Sequence, residues 1–146
     1  MKVLDNIYVA INFGLANCIM IEGEDGVIII DTMEGPEPAR EVLEEFRRIT
    51  DKPIVGIILT HFHADHVYGI ETFLAAAGPG VEVVSHSSLP QQLAQVVNVR
   101  GGVTYQRAVR QFGTEVPDTV KKAGIGPNLK CVLKSCKRSI SSHNHG

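Results

Sequence analysis

The run Ile54-Val55-Gly56-Ile57-Ile58-Leu59-Thr60, followed at once by His61-Phe62-His63-Ala64-Asp65-His66, decides how this chain is read. Its first part is short, apolar and rich in β-branched residues, which fits a buried strand. Its second part sets three histidines and one aspartate within six residues. In an extended chain alternate side chains point the same way, so His61 and His63 can address one metal ion together. A turn at Ala64 can then direct Asp65 and His66 toward a second ion beside it. Imidazole nitrogen and carboxylate oxygen suit Zn²⁺, which accepts mixed ligands at about 2.0–2.2 Å. Two such ions about 3.5–4 Å apart can share a water, lower its pKa and hold it against an electrophile. Packing is a poor explanation for four ligand-type residues here, because unpaired buried polar groups cost stability. The expected metal ligands are therefore His61, His63, Asp65 and His66.

On the amino-terminal side, residues 6–12, 17–23 and 26–32 read as strands. Asp25-Gly26 between the last two is a hairpin signal, since glycine tolerates the positive φ of tight turns. Asp31 ends the apolar strand GVIIIDT. Two readings of it stand side by side: a turn or helix-capping residue, or a carboxylate that orients a ligand histidine. Pro36 and Pro38 suit a helix start, and Ala39, Val42, Leu43, Phe46 and Ile49 recur at helical spacing, with Pro53 beyond them.

Past His66, residues 70–77 fit a helix stopped by Gly78-Pro79-Gly80, residues 81–85 a strand, and residues 90–97 and 103–112 two further helices. Hairpin strands followed by strands alternating with helices point to an α/β mixed sheet with helices packed on one face. Ligand sites in such sheets sit at the carboxyl ends of strands, where Asp31 and His61 both lie. His86 also follows a strand, but stands among serines and reads as a structural or solvent-facing residue. From Asp118 onward no further acidic residue occurs, and residues 128–146 form a basic tail ending in SSHNHG, expected to be loosely ordered. Its His143 and His145 read as binding nothing specific.

Bulk properties narrow the function classes. The chain has 146 residues, 44% hydrophobic and 21% charged, with a net charge of −2. That suits one globular domain and gives no electrostatic case for nucleic acid or an anionic membrane surface. No apolar run is long enough to span a bilayer. Residues 1–10 lack a secretory pattern, and Cys18, Cys131 and Cys136 are odd in number and scattered. Both features lead to a cytoplasmic expectation, without a disulfide framework or a cysteine zinc site.

Through Asp31 and the H-x-H-x-D-H run at His61 to His66, the chain resembles the metallo-β-lactamase superfamily. It is most similar to the alkyl sulfatase branch, in GLANCIMIEGEDGVIIIDTME, REVLEEFRRITDKPI, ILTHFHADHVYGI, VNVRGG, YQRAVRQFG and KKAGIGP. The resemblance covers nearly all of residues 1–127. It implies an αββα sandwich, two zinc ions, and hydrolysis by a metal-held hydroxide. His61 and His63 would hold the first zinc, and Asp65 and His66 the second, with Asp65 also catalytic as a proton carrier. The implied substrate is a small ester, a sulfate ester of an alcohol; the full-length family implies a homodimer. Other superfamily chemistries, on a thioester, lactone or phosphodiester, and a zinc-binding chain without catalysis are the alternatives. The family's later acidic ligands and last ligand histidine find no substitute in Glu115, Asp118, His143 or His145. Residues 1–127 are therefore expected to form only the first half of the sandwich, a truncated domain.

Overall fold

A computed structural model describes residues 1–98 and 101–111 of the chain. Strands β1 (Lys2–Leu4), β2 (Ile7–Ala10), β3 (Cys18–Glu22) and β4 (Val27–Ile30) come first. Helix α1 (Pro36–Arg47), strand β5 (Ile54–Leu59), and helices α2 (Ala64–Val67) and α3 (Ile70–Ala77) follow. Strand β6 (Glu82–Ser85) and helices α4 (Leu89–Asn98) and α5 (Gly101–Gln111) complete the described residues. The strands make one six-stranded sheet in sequence order. Pairing is antiparallel from β1 to β4 and parallel from β4 to β6. This is the mixed sheet expected from hairpins followed by strand–helix alternation.

Side-chain alternation gives the sheet two unlike faces. Register puts Ala10, Cys18, Met20, Ile29, Ile57 and Leu59 on one face, and all are buried. Ala39, Val42 and Phe46 of α1 and Phe73 of α3 join them in a single core. The opposite face carries Ile19, Ile21, Ile28, Ile30 and Ile58, half-buried, and Val84, exposed. None of these six belongs to the core or packs against it among the described residues. Helices thus cover one face, as expected.

Several local readings are corrected. Gly26 is buried, and its φ is not positive. It is glycine because a Cβ there would lie 2.4 Å from the Val55 side chain and 2.6 Å from the Pro53 carbonyl oxygen. The hairpin instead closes through Gly23 N–H donating to the Gly26 carbonyl at 2.8 Å. Helix α1 stops at Arg47, so Ile49 lies beyond it and is exposed. Strand β1 was not expected at all; its three residues are exposed and carry no hydrophobic alternation to read. The turn at Ala64 is a complete helical turn, α2. The basic tail, with Cys131, Cys136, His143 and His145, and the candidates Glu115 and Asp118 lie outside the described residues.

One close approach locks the β4–α1 connection to the segment after β5. Gly69 N–H donates to the Met33 carbonyl at 3.0 Å, and Thr32 N–H to the His66 carbonyl at 2.7 Å. The Thr32 hydroxyl donates to that same carbonyl at 3.0 Å. A Cβ on Gly69 would stand 1.9 Å from the Thr32 carbonyl oxygen and 2.7 Å from Ala39 Cβ. Both obstacles are rigid, so Gly69→Ala should cost about 3 kcal/mol through overpacking. Urea unfolding against the unaltered chain measures it; a loss under about 0.5 kcal/mol, the scale of a neutral surface change, would contradict this packing.

Candidate metal centre

Three parallel strands end side by side, and the residues after β4 and β5 build the centre. Asp31 follows β4 with its N–H still donating to Ile58 at 2.9 Å. Its backbone then turns left-handed, φ 60, as does Met33 at φ 72. Aspartate tolerates that region better than most residues; methionine does so at a cost of about 1 kcal/mol or more. The turn leaves the Asp31 carboxylate buried, and a buried carboxylate must find donors.

Those donors come from the histidine segment. Thr60 N–H donates to Asp31 Oδ1 at 2.9 Å. The Thr60 hydroxyl lies 3.0 and 2.8 Å from the two carboxylate oxygens. Asp31 Oδ2 is 2.6 Å from His66 Nδ1 and accepts its proton. The Thr60 hydroxyl has one proton, and the carboxylate takes it. Its lone pair then accepts from His61 Nδ1 at 3.0 Å. One carboxylate and one hydroxyl therefore fix the tautomer of both rings, leaving Nε2 of His61 and of His66 with free lone pairs. Asp31 does not cap α1, whose N-cap is Gly35 without a side-chain bond. The orienting reading of Asp31 is the one the geometry supports.

The remaining donor atoms meet in two pairs. His61 Nε2 lies 3.0 Å from His63 Nδ1. His66 Nε2 lies 3.4 Å from Asp65 Oδ2. Donors about 2.0–2.1 Å from a tetrahedral zinc are separated by roughly 3.3–3.4 Å, so the His66–Asp65 pair has the spacing of an edge of such a site, while the His61–His63 pair is closer, at hydrogen-bond distance. The rings pack closely, with His61 centroids 4.6 Å from His63 and 4.1 Å from His66. Burial, then the neighbouring His66 and His63, holds His61 below the ordinary imidazole range, against the opposing pull of Asp31 and Asp65. A neutral ring is the form that binds metal. Among the described residues no three histidine, cysteine, aspartate or glutamate side chains converge as one ligand set. The donor chemistry fits zinc, in two pairs.

Two residues of this neighbourhood escaped the sequence reading. Thr60 looked like the last residue of a strand, and nothing in its type announces a hydrogen-bond relay. Glu34 is buried and accepts the Leu15 N–H at 3.2 and 3.3 Å from its two oxygens. Burial pushes its carboxyl up, as does the charge of Asp65, against the pull of its own N–H and that of Leu15. Cys18 is buried beneath, its Sγ donating to the Asp31 carbonyl at 3.1 Å. Its thiol is pushed well above the usual range, by burial first and by Asp31 second. His86 is exposed, and its Nδ1 engages the Ser88 hydroxyl at 2.8 Å and N–H at 3.2 Å in a local turn.

Known proteins share this fold and parts of this sequence. Residues 11–102 match the family model of the metallo-beta-lactamase superfamily. The chain is 36% identical over 114 residues to a linear primary-alkylsulfatase of Pseudomonas sp. (strain ATCC 19151), covering 74% of this chain and 22% of that protein. It is 30% identical over 132 residues to the alkyl/aryl-sulfatase BDS1 of Saccharomyces cerevisiae, covering 86% and 20%. The chain thus spans about a fifth of the length of these curated relatives. The solved stereoselective inverting sec-alkylsulfatase Pisa1 from Pseudomonas sp. superposes with a TM-score of 0.72 at 28% identity, over 80% of this chain and 19% of that one. The metallo-β-lactamase FIM-1 from Pseudomonas aeruginosa, in its mono-zinc form, shares the fold at a TM-score of 0.53 and 18% identity, over 65% and 44%.

The relay makes its own prediction. Asp31→Ala leaves the Thr60 N–H and the His66 ring without their acceptor and should cost about 3 kcal/mol. Thr60→Val, which spares the backbone bond, should cost about 1 kcal/mol. Denaturant titration of both variants checks the order, and equal losses would contradict a network centred on Asp31. Fold, histidine segment and relatives lead to one assignment: the chain belongs to the metallo-beta-lactamase superfamily.

Proposed function

We propose that this chain supplies the zinc-holding part of a hydrolase that cleaves alkyl sulfate esters. The observation that carries the proposal is the meeting of ligand-type atoms in two pairs, His61 Nε2 with His63 Nδ1 at 3.0 Å and His66 Nε2 with Asp65 Oδ2 at 3.4 Å. His61 and His63 would hold one zinc, and Asp65 and His66 the second. Zinc, when bound, supplies Lewis acidity toward the ester and toward water. The chain's own work is to keep His61 and His66 in the tautomers that Thr60 and Asp31 dictate, which saves reorganisation when the metal arrives. Asp65 is the proposed catalytic residue, taking the proton of the attacking water. The sulfate ester is inferred from the alkylsulfatases among the relatives.

A second reading, zinc binding without turnover, is favoured by one observation: the donors come in pairs, with no set of three among the described residues. Catalytic zinc sites take three protein ligands and keep one position open. Elemental analysis of the purified chain is expected to find zinc, up to two per chain, and to lose it in His61→Ala/His63→Ala. Zinc-dependent release of sulfate from octyl sulfate, abolished in the same variant, selects the hydrolase; zinc without release selects the second reading. A chain that takes up no zinc overturns both.

The pH dependence follows from His61. Its lowered pKa keeps the ring neutral, and so able to bind, as pH falls through the ordinary imidazole range. In the metal-free chain the His61 ring should therefore take up its proton only below the value of free imidazole. An NMR titration of the His61 ring from about pH 7 to about pH 5, on either side of the free imidazole value, measures it; protonation at or above that value would contradict the effect of burial on the ring.

A further inference from the structure

The metal centre uses the ends of β4 and β5, while the third parallel strand, β6, ends beside them and is followed at once by His86. Leu59 of β5 and Ser85 of β6 are the last partners of their ladder. Thr60 and His86 each come one residue later, so they leave the sheet at the same end, from strands about 4.8 Å apart. His86 therefore stands one strand spacing from the start of the histidine segment, at the end where such sheets bind ligands.

The turn that carries His86 is fixed on both sides. The ladder holds it from β6, and Leu89 N–H donates to the His86 carbonyl at 2.9 Å, with Leu89 itself buried in the core. The ring is fixed as well. Ser88 N–H donates to His86 Nδ1 at 3.2 Å, and the Ser88 hydroxyl meets the same nitrogen at 2.8 Å. A backbone N–H can only donate, so Nδ1 is the acceptor and the ring proton sits on Nε2. This is the opposite tautomer to that of His61 and His66, whose Nδ1 atoms face Thr60 and Asp31. Those two rings present Nε2 lone pairs, which suit a cation. His86 presents an Nε2 proton, which suits an anion. Both hydrogen bonds of its ring are made through Nδ1, and the residue is exposed. It belongs to neither donor pair.

We propose that His86 is a substrate-binding residue whose Nε2–H hydrogen-bonds a terminal oxygen of the sulfate group, beside the metal pairs. The inference rests on the proposed alkyl sulfate reading and deepens it by naming a donor for the anionic head of the ester. A sulfate oxygen turned away from the metal needs a donor in place of the water it loses, and a charged acceptor makes that bond strong. A ring already held in the donor tautomer supplies it without reorganisation.

Two substitutions separate the donor from the turn. His86→Asn keeps an acceptor oxygen for the Ser88 N–H, as in an Asx turn, and has no N–H as far out as Nε2. His86→Gln places an amide N–H near the Nε2 position and gives up the Nδ1 acceptor. Calorimetry on the zinc-loaded chains compares octyl sulfate with octanol. Octyl sulfate should bind about tenfold more weakly in His86→Asn and within about threefold of the unaltered chain in His86→Gln. Octanol, which lacks the anion, should not distinguish the three chains, and their zinc content should be equal. The reverse order, weak binding in His86→Gln and unaltered binding in His86→Asn, would show that the ring serves only the turn. Octyl sulfate and octanol weakened equally, or octyl sulfate bound alike by all three chains, also overturns the proposal. Failure of the unaltered chain to hold zinc defeats the metal reading instead, and nitrogen NMR of the His86 ring then decides the proposal alone. The zinc-free ring should show the Nε2–H tautomer and shift on addition of methyl sulfate. A ring protonated on Nδ1, or one that methyl sulfate leaves unmoved, overturns the anion-binding role.

Discussion

Much of this site depends on one buried carboxylate. Asp31 is taken out of water at the end of β4, and its oxygens must be satisfied by what the next strand delivers. Thr60 and His66 provide the donors, and in doing so they give up their freedom of orientation. The strand end, the histidine segment and the left-handed turn at Asp31 are therefore one solution rather than three features. Without the carboxylate, the Thr60 N–H and the His66 ring would lack their partner. Without the parallel register of β4 and β5, Thr60 would not stand opposite it.

The same demand explains the glycine at position 69. The histidine segment has to come back against the β4–α1 connection, and it does so through backbone bonds from Thr32 and Gly69. Contact that close leaves no room for a side chain. Glu34 extends the arrangement to the other side, where the β2–β3 connection is tied down. A centre built on loops is thereby held by three neighbouring segments, each fixed through backbone as well as side-chain bonds. Rigidity of this kind is what pre-orients donor atoms before a ligand arrives.

Much of this was legible in the sequence. The mixed sheet could be read because hairpin strands and strand–helix alternation have different periods, and the helical spacing of Ala39, Val42 and Phe46 matches the face that α1 buries. His61, His63, Asp65 and His66 were expected as metal ligands from residue type and spacing, and the fold brings their side chains close together. Asp31 remained open between two readings, because a carboxylate at a strand end can cap a helix or hold a ring equally well. Only the left-handed backbone and the Thr60 bonds separate them. Thr60 and Glu34 stayed hidden for a related reason: their partners are 29 and 19 positions away, and nothing local encodes such pairings. Gly26 misled in a different way. Its neighbour Asp25 suggested a turn conformation, whereas the real constraint is the Val55 side chain arriving from another strand.

The uneven sheet has a calorimetric consequence. Its second face, with Ile19, Ile21, Ile28, Ile30 and Ile58, keeps part of its apolar surface in contact with water even when folded. Hydration of apolar surface dominates the heat-capacity change of unfolding, and surface already wet contributes nothing to it. The described residues therefore gain a smaller heat-capacity increment than a sheet covered on both sides would give. Their stability varies less steeply with temperature, and warmth strengthens them less than it would a fully two-sided layer.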